Sequence, residues 1–172
     1  MTPMMYQYLA IKMAHKKDLL FYRLGDFYEL FFNDAKIGAK ILDITLTKRG
    51  KHEEKDIPMC GIPYHTAANY IKKLIKHGYN VAICEQIKDF KENINKSQTI
   101  IKREVVRVIT PGTLIEENLL HPRESNYLMS IADIMKNYAI AWIDISTGDI
   151  FTMQINCTEL ISYISKFQPK EI

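Results

Sequence analysis

The chain has 172 residues, enough for one domain of ordinary size or a small domain joined to part of another. Its 47% hydrophobic and 25% charged residues suit a core-forming globular protein. No apolar run nears the roughly 18 residues of a membrane span, and the N-terminus lacks a signal peptide's apolar stretch, so membrane insertion and secretion are set aside and the cytoplasm is the expected compartment.

The net charge of +3 hides an asymmetry: residues 1–112 carry 19 basic and 12 acidic side chains, residues 113–172 only 4 basic and 8 acidic. A basic first part joined to an acidic second part predicts two units, with any polyanion meeting the first. Cys60, Cys84 and Cys157 form no CxxC pair and have no histidine at metal spacing, so they read as reduced thiols.

Thr2-Pro3 predicts a helix cap followed by proline at the first helical position, with Met5, Leu9 and Met13 at helical spacing. Residues 19–24 form an apolar strand candidate, broken at Gly25-Asp26 before 27–32 continues extended. Asn33-Asp34 predicts a capped helix through Leu42, with Ile37 and Ile41 on one side. Residues 44–47 alternate like a strand, and 51–56 read as a polar loop. Pro58 and Pro63 predict that 57–63 lies at a sheet edge or on the surface. Ala67, Tyr70, Ile71 and Leu74 mark an amphipathic helix over 66–77, stopped by Gly78. Strands are predicted at 81–87 and 104–109, joined by a polar, mobile connection over 88–98.

Beyond Thr113 the character changes. Residues 114–126 read as a linker, followed by strands at 127–132, 138–146 and 150–155 with a turn at Thr147-Gly148-Asp149. Thr158 predicts the start of a helix through Lys166, and Lys170-Glu171-Ile172 resembles the beginning of a further strand. Helices interspersed with strands make the fold α/β, a mixed sheet with flanking helices. The second part is too small for a complete α/β domain, so the expectation is a piece of a longer protein.

Within Gly25-Asp26-Phe27-Tyr28-Glu29-Leu30-Phe31, an extended backbone puts Phe27 and Glu29 on one face, about 6.6 Å apart. That is close to two base-pair rises of roughly 3.4 Å. A ring could wedge at one base step while the carboxylate reaches a neighbouring base edge. The competing reading is that the aromatics pack a core.

These elements belong to longer stretches: Thr2-Pro3-Met4-Met5, Leu20-Phe21-Tyr22-Arg23-Leu24-Gly25-Asp26-Phe27-Tyr28-Glu29-Leu30-Phe31, Leu46-Thr47-Lys48-Arg49-Gly50, Ile57-Pro58-Met59-Cys60-Gly61-Ile62-Pro63-Tyr64-His65, Val81-Ala82-Ile83-Cys84-Glu85-Gln86-Ile87 and Val106-Arg107-Val108-Ile109-Thr110-Pro111-Gly112-Thr113. In content, order and spacing the whole chain resembles the N-terminal part of the MutS family of DNA mismatch repair proteins. The resemblance implies a mismatch-recognition domain over 1–113, a linker over 114–126, and the start of a ribonuclease H-like connector domain over 127–172. It puts Phe27 at the family's intercalating phenylalanine and Glu29 at its mismatch-contacting glutamate.

The implied partner is double-stranded DNA carrying mismatches or small unpaired loops. A dimer partner and downstream repair proteins are implied for the parent protein, which would sit in the cytoplasm and on the nucleoid when DNA-bound. ATP and Mg²⁺ are implied for the parent alone: none of the seven glycines fits a phosphate loop. The chain itself therefore reads as a non-enzyme without cofactor.

Backbone or groove contacts are expected from Lys48, Arg49, Arg103 and Arg107. The last two, four residues apart on a strand, should share a face about 13 Å apart. Each fits either a phosphate contact or an ion pair with Glu104 or Glu85. Pro58 and Met59 are candidate apolar groove-lining groups, with Met59 fitting a core position equally well. Glu29, protonated, would donate to a base; ionised, it would accept and would repel well-paired DNA. One alternative of another class is a Mg²⁺-dependent nuclease using Asp144 and Asp149, although two-metal chemistry needs about three or four converging carboxylates. Another is a protein-docking role for the connector.

Overall fold

A computed structural model describes residues 2–87, 101–117, 119–135 and 137–172. The expected mobile connection over 88–98 lies outside the described residues. The chain divides into two compact units, Met1–Ile109 and Thr110–Ile172, and the architecture is mixed α/β.

Helix α1 (Pro3–Ala14) starts as the sequence requires, with the Thr2 side chain accepting from the Met5 amide and Pro3 in the first turn. It buries Met5 and Tyr8, while Met13, expected on the same stripe, is exposed. Strands β1 (Leu19–Leu24) and β2 (Phe27–Phe31) form a hairpin through Gly25-Asp26, with Gly25 at φ +60° supplying the left-handed residue.

Helix α2 (Phe32–Leu42) carries no side-chain cap. Asp34 is instead buried, accepting from the Leu20 amide at 3.0 Å and pairing with Lys12 Nζ at 2.8 Å, which ties together α1, β1 and α2. The buried face of α2 runs through Ala35, Gly38, Ala39 and Leu42 rather than Ile37 and Ile41.

The next hairpin departs from expectation. Strand β3 covers Thr47–His52 and β4 covers Lys55–Pro63, so the supposed polar loop is mostly strand. The turn is Glu53-Glu54, both at positive φ (48° and 62°), the geometry of a tight two-residue hairpin without its usual glycine. Strand β4 is not an edge: it pairs with β2 and β3. It tolerates its prolines because Pro63 ends the strand and Pro58 lies beyond the β2 pairing, which stops at Phe31–Met59. Helix α3 (Ala67–Lys76) precedes β5 (Val81–Gln86) and β6 (Arg103–Ile109), completing a six-stranded sheet in the order β3-β4-β2-β1-β5-β6. Tyr8, Tyr22, Phe31, Ile57, Ala82 and Cys84 pack with Met5 on the α1 face. On the opposite face α2 meets β2 and β4, with Cys60 Sγ donating to the Ala35 carbonyl.

The second unit is an antiparallel meander of β7 (Tyr127–Ile134), β8 (Asn137–Asp144) and β9 (Asp149–Asn156), with α4 (Leu160–Phe167) packed on its Met129, Ile140, Trp142 and Ile155 core. Thr158 does not cap α4: Asn156 and Glu159 form a reciprocal capping box on the 3-10 turn Cys157–Glu159 that leads into the helix, and α4 itself has no side-chain cap. Residues 114–126, expected as a linker, contribute buried Leu114, Leu119 and Asn126. Lys170 and Glu171 run parallel beside β7, with the Lys170 amide donating to Tyr127 O and the Met129 amide to Glu171 O.

Candidate nucleic-acid interface

Strand β2 is held on both sides, by β1 and by β4. Phe27 lies opposite Leu24 and Pro63, and Glu29 opposite Tyr22 and Gly61. Alternation along the strand buries Tyr28 and Leu30 and turns Phe27 and Glu29 to the α1 side. The Phe27 residue is nevertheless 46% exposed, because α1 covers the sheet further along, at Tyr22 and Phe31. A solvent-exposed ring thus stands on a rigid strand, away from the core that the competing reading assigned it. Gly61 sits between the two side chains: a Cβ there would lie 3.7 Å from Phe27 Cδ1 and 3.8 Å from Glu29 Cγ.

The Glu29 carboxylate is not bare. Arg49 Nη1 donates to both its oxygens, at 2.7 and 2.6 Å. The Glu29 side chain is 12% exposed and that of Arg49 46%. Arg49 also lines a cleft of about 530 Å³ with Gly50, Lys51, Leu24, Ile57 and the start of α1.

The turn before Phe27 is clamped from the opposite face. Arg23 Nε donates to the Gly25 carbonyl at 2.5 Å, and its guanidinium lies 3.6 Å from the Tyr64 ring centroid. The Tyr64 amide donates to Asp26 O at 2.9 Å. Arg23 also pairs with Glu85 at 3.7 Å, and Glu85 accepts the Tyr28 hydroxyl. Burial and that hydrogen bond push the Tyr28 phenol up to about 12, so it stays a neutral donor.

The other expected contact residues disperse. Met59 shares the face of Glu29 and packs against the α1-side core. Pro58 and Lys48 lie opposite each other on the other face, where Lys48 pairs with Asp56 at 2.8 Å. Arg103 and Arg107 do not share a face. A register shift in the β5–β6 pairing adds a residue at Val106, so Val105 and Val108 both face the α1-side core and the alternation inverts between the arginines. Arg103 is 7% exposed. It donates to the carbonyls of Arg23 and Ile101 and lies 5.0 Å from the Tyr22 ring centroid, so it is a structural cation and pairs with neither Glu104 nor Glu85. Arg107 lies opposite Ile83.

Asp144 and Asp149 face each other across β8–β9, but Asp144 is committed to its own turn. It accepts from the Asn126 amide at 2.9 Å, the Ser146 amide at 3.0 Å and Ser146 Oγ at 2.6 Å. Burial opposes its ionisation, yet these hydrogen bonds hold the carboxyl below the usual carboxylate range. Among the described residues no group of three or more His, Cys, Asp or Glu could hold a metal ion. No helix among them is long and apolar enough to cross a membrane.

Comparison with known proteins gives this geometry a family. Residues 2–118 match MutS domain I, and residues 126–172 match MutS domain II. The chain belongs to the MutS family. It is 52% identical over its whole length to the DNA mismatch repair protein MutS of Bartonella henselae, 50% identical over 99% of the chain to that of Dinoroseobacter shibae, and 49% identical over 99% to that of Rhizobium meliloti. It spans 19–20% of the length of these MutS proteins.

Sequence reasoning missed Arg23, Tyr64 and the Glu29–Arg49 pair. Arg23 left a signal: it is the single charge in an apolar strand, and a two-residue turn at Gly25-Asp26 sets it opposite Tyr28. The ion pair left none, because it depends on which strand lies beyond β2.

Proposed function

We propose that this chain is the lesion-reading part of a DNA mismatch repair protein, recognising mispaired or unpaired positions in duplex DNA. Phe27 wedges from the minor groove into a weakly stacked base step, and Glu29 contacts the displaced base. The observation that carries this reading is the exposed Phe27 ring on a doubly paired strand, two residues from a carboxylate, in a chain of this family. A mismatch is stacked less well than its neighbours, so opening it costs less, and an apolar wedge selects deformability rather than sequence. ATP binding and hydrolysis, Mg²⁺, a dimer partner and downstream repair proteins belong to the parent protein, where the relatives extend far beyond this chain.

The test is a salt-controlled titration of an unpaired-thymine duplex against its matched counterpart. Phe27→Ala should abolish the preference, a loss of roughly 1–3 kcal/mol if aromatic–base stacking is the source. The fold should survive, since the ring is exposed; a stability loss of about 3–5 kcal/mol would mark Phe27 as a core residue and contradict the assignment.

A further inference from the structure

The Glu29–Arg49 pair joins two unlike supports. Glu29 stands on β2, locked between β1 and β4, whereas Arg49 stands on β3, the edge of the sheet. The β3–β4 ladder shifts register between Lys48 and Lys51, so Arg49 and Gly50 form a bulge with no regular partner, and Gly50 takes φ +69°. The carboxylate is largely covered while the guanidinium is half exposed. If the pair opens, Arg49 is the partner free to move, and the cleft beside Gly50 and Leu24 leaves it room.

A guanidinium fork suits carboxylate and phosphate alike, so a DNA phosphate competes with Glu29 for the same donors. We propose that Arg49 is a phosphate-released cover on Glu29 and thereby a specificity-determining residue of the site. In the free chain it neutralises the carboxylate beside Phe27, so DNA can approach without meeting an uncompensated negative charge. When a backbone phosphate takes Arg49, Glu29 is uncovered against the bases. There it repels duplex that stays closed and becomes available to a base that has opened. The Glu29 role rests on the wedge reading above; the competition between carboxylate and phosphate does not.

A double-mutant cycle on a short, fluorescein-labelled, perfectly matched duplex tests the proposal. Wild type, Glu29→Ala, Arg49→Ala and the double variant are titrated at one fixed low salt concentration, after circular dichroism shows that each is folded. In wild type, part of the Arg49–phosphate contact is offset by breaking the pair. Arg49→Ala should therefore weaken binding at least about threefold more in the Glu29→Ala background than in wild type, the size expected for contacting residues. Arg49→Lys, which keeps the charge but presents it as a compact, strongly hydrated ammonium in place of the weakly hydrated guanidinium, should show a smaller coupling. Equal losses from Arg49→Ala in both backgrounds would overturn the proposal. Because the duplex is matched, failure of the wedge reading would appear in Phe27→Ala on unpaired thymine and would leave this coupling unchanged.

Discussion

Two partly covered carboxylates, one in each unit, are held in opposite ways. Asp144 is bound by donors from its own turn and from the adjacent Asn126 amide, all within 3.0 Å. Glu29 is bound by one side chain on a bulged edge strand. The backbone amides around Asp144 cannot leave without unfolding the turn, whereas a guanidinium can rotate away and take its charge elsewhere. The first arrangement holds structure together, and the second keeps a charge in reserve.

The sharpest way to break that contrast is to remove each carboxylate. Asp144→Ala leaves the buried Asn126 amide unpaired and frees the exposed Ser146 donors to water, and should cost about 1–3 kcal/mol in urea unfolding of the second unit. Acid should reproduce part of this loss. The folded pKa of Asp144 is depressed, so its contribution is complete above the unfolded value of about 3.9 and disappears as the pH falls through the lower folded value. The melting-temperature gap between wild type and Asp144→Asn should therefore narrow between pH 6 and pH 3, values chosen to bracket that unfolded pKa of about 3.9. A gap independent of pH would mean that the charge contributes nothing.

Arg23→Ala acts on the rigid side of the proposed lesion-reading site. It removes the stack on Tyr64 and the hydrogen bond to the Gly25 carbonyl, together worth about 1–2 kcal/mol. Preference for unpaired thymine should fall while affinity for matched duplex holds, because Arg23 lies on the face away from Phe27. A parallel loss on both duplexes would make Arg23 a DNA contact instead of a clamp. The smallest effect is expected from Glu29→Ala on stability: its partner Arg49 is half exposed and water can solvate it once the carboxylate is gone, so the loss should stay within about 0–1 kcal/mol and urea midpoints should barely move. A loss as large as that of Asp144→Ala would show that Glu29 too is a structural carboxylate.

Much of the frame was legible in the chain. The cap at Thr2, the Gly25-Asp26 turn, the apolar stripe of α3 and the strands at β1, β5 and β8 follow from local patterns that the packing reinforces. What escaped had no local signature. Strand β3 is exposed and polar, so it shows no alternation, and its turn uses two glutamates where asparagine or glycine would announce a hairpin. The shift at Val106 inverts the face of Arg107 relative to Arg103, and nothing in Arg103-Glu104-Val105-Val106-Arg107 announces an extra residue. Phe27 and Glu29 could be placed on one face from a period of two alone. The hold of Arg49 on Glu29 could not, since it spans 20 residues of sequence and depends on sheet order.

The claim that Phe27 enters the base stack is tested most directly by fluorescence. A 2-aminopurine placed beside an unpaired thymine is quenched while stacked and brightens when its neighbours separate. Saturating the duplex with the wild-type chain should raise its emission, with no rise in a matched duplex and none for Phe27→Ala at equal occupancy. An equal rise with Phe27→Ala, or no rise with wild type at saturation, would contradict the account.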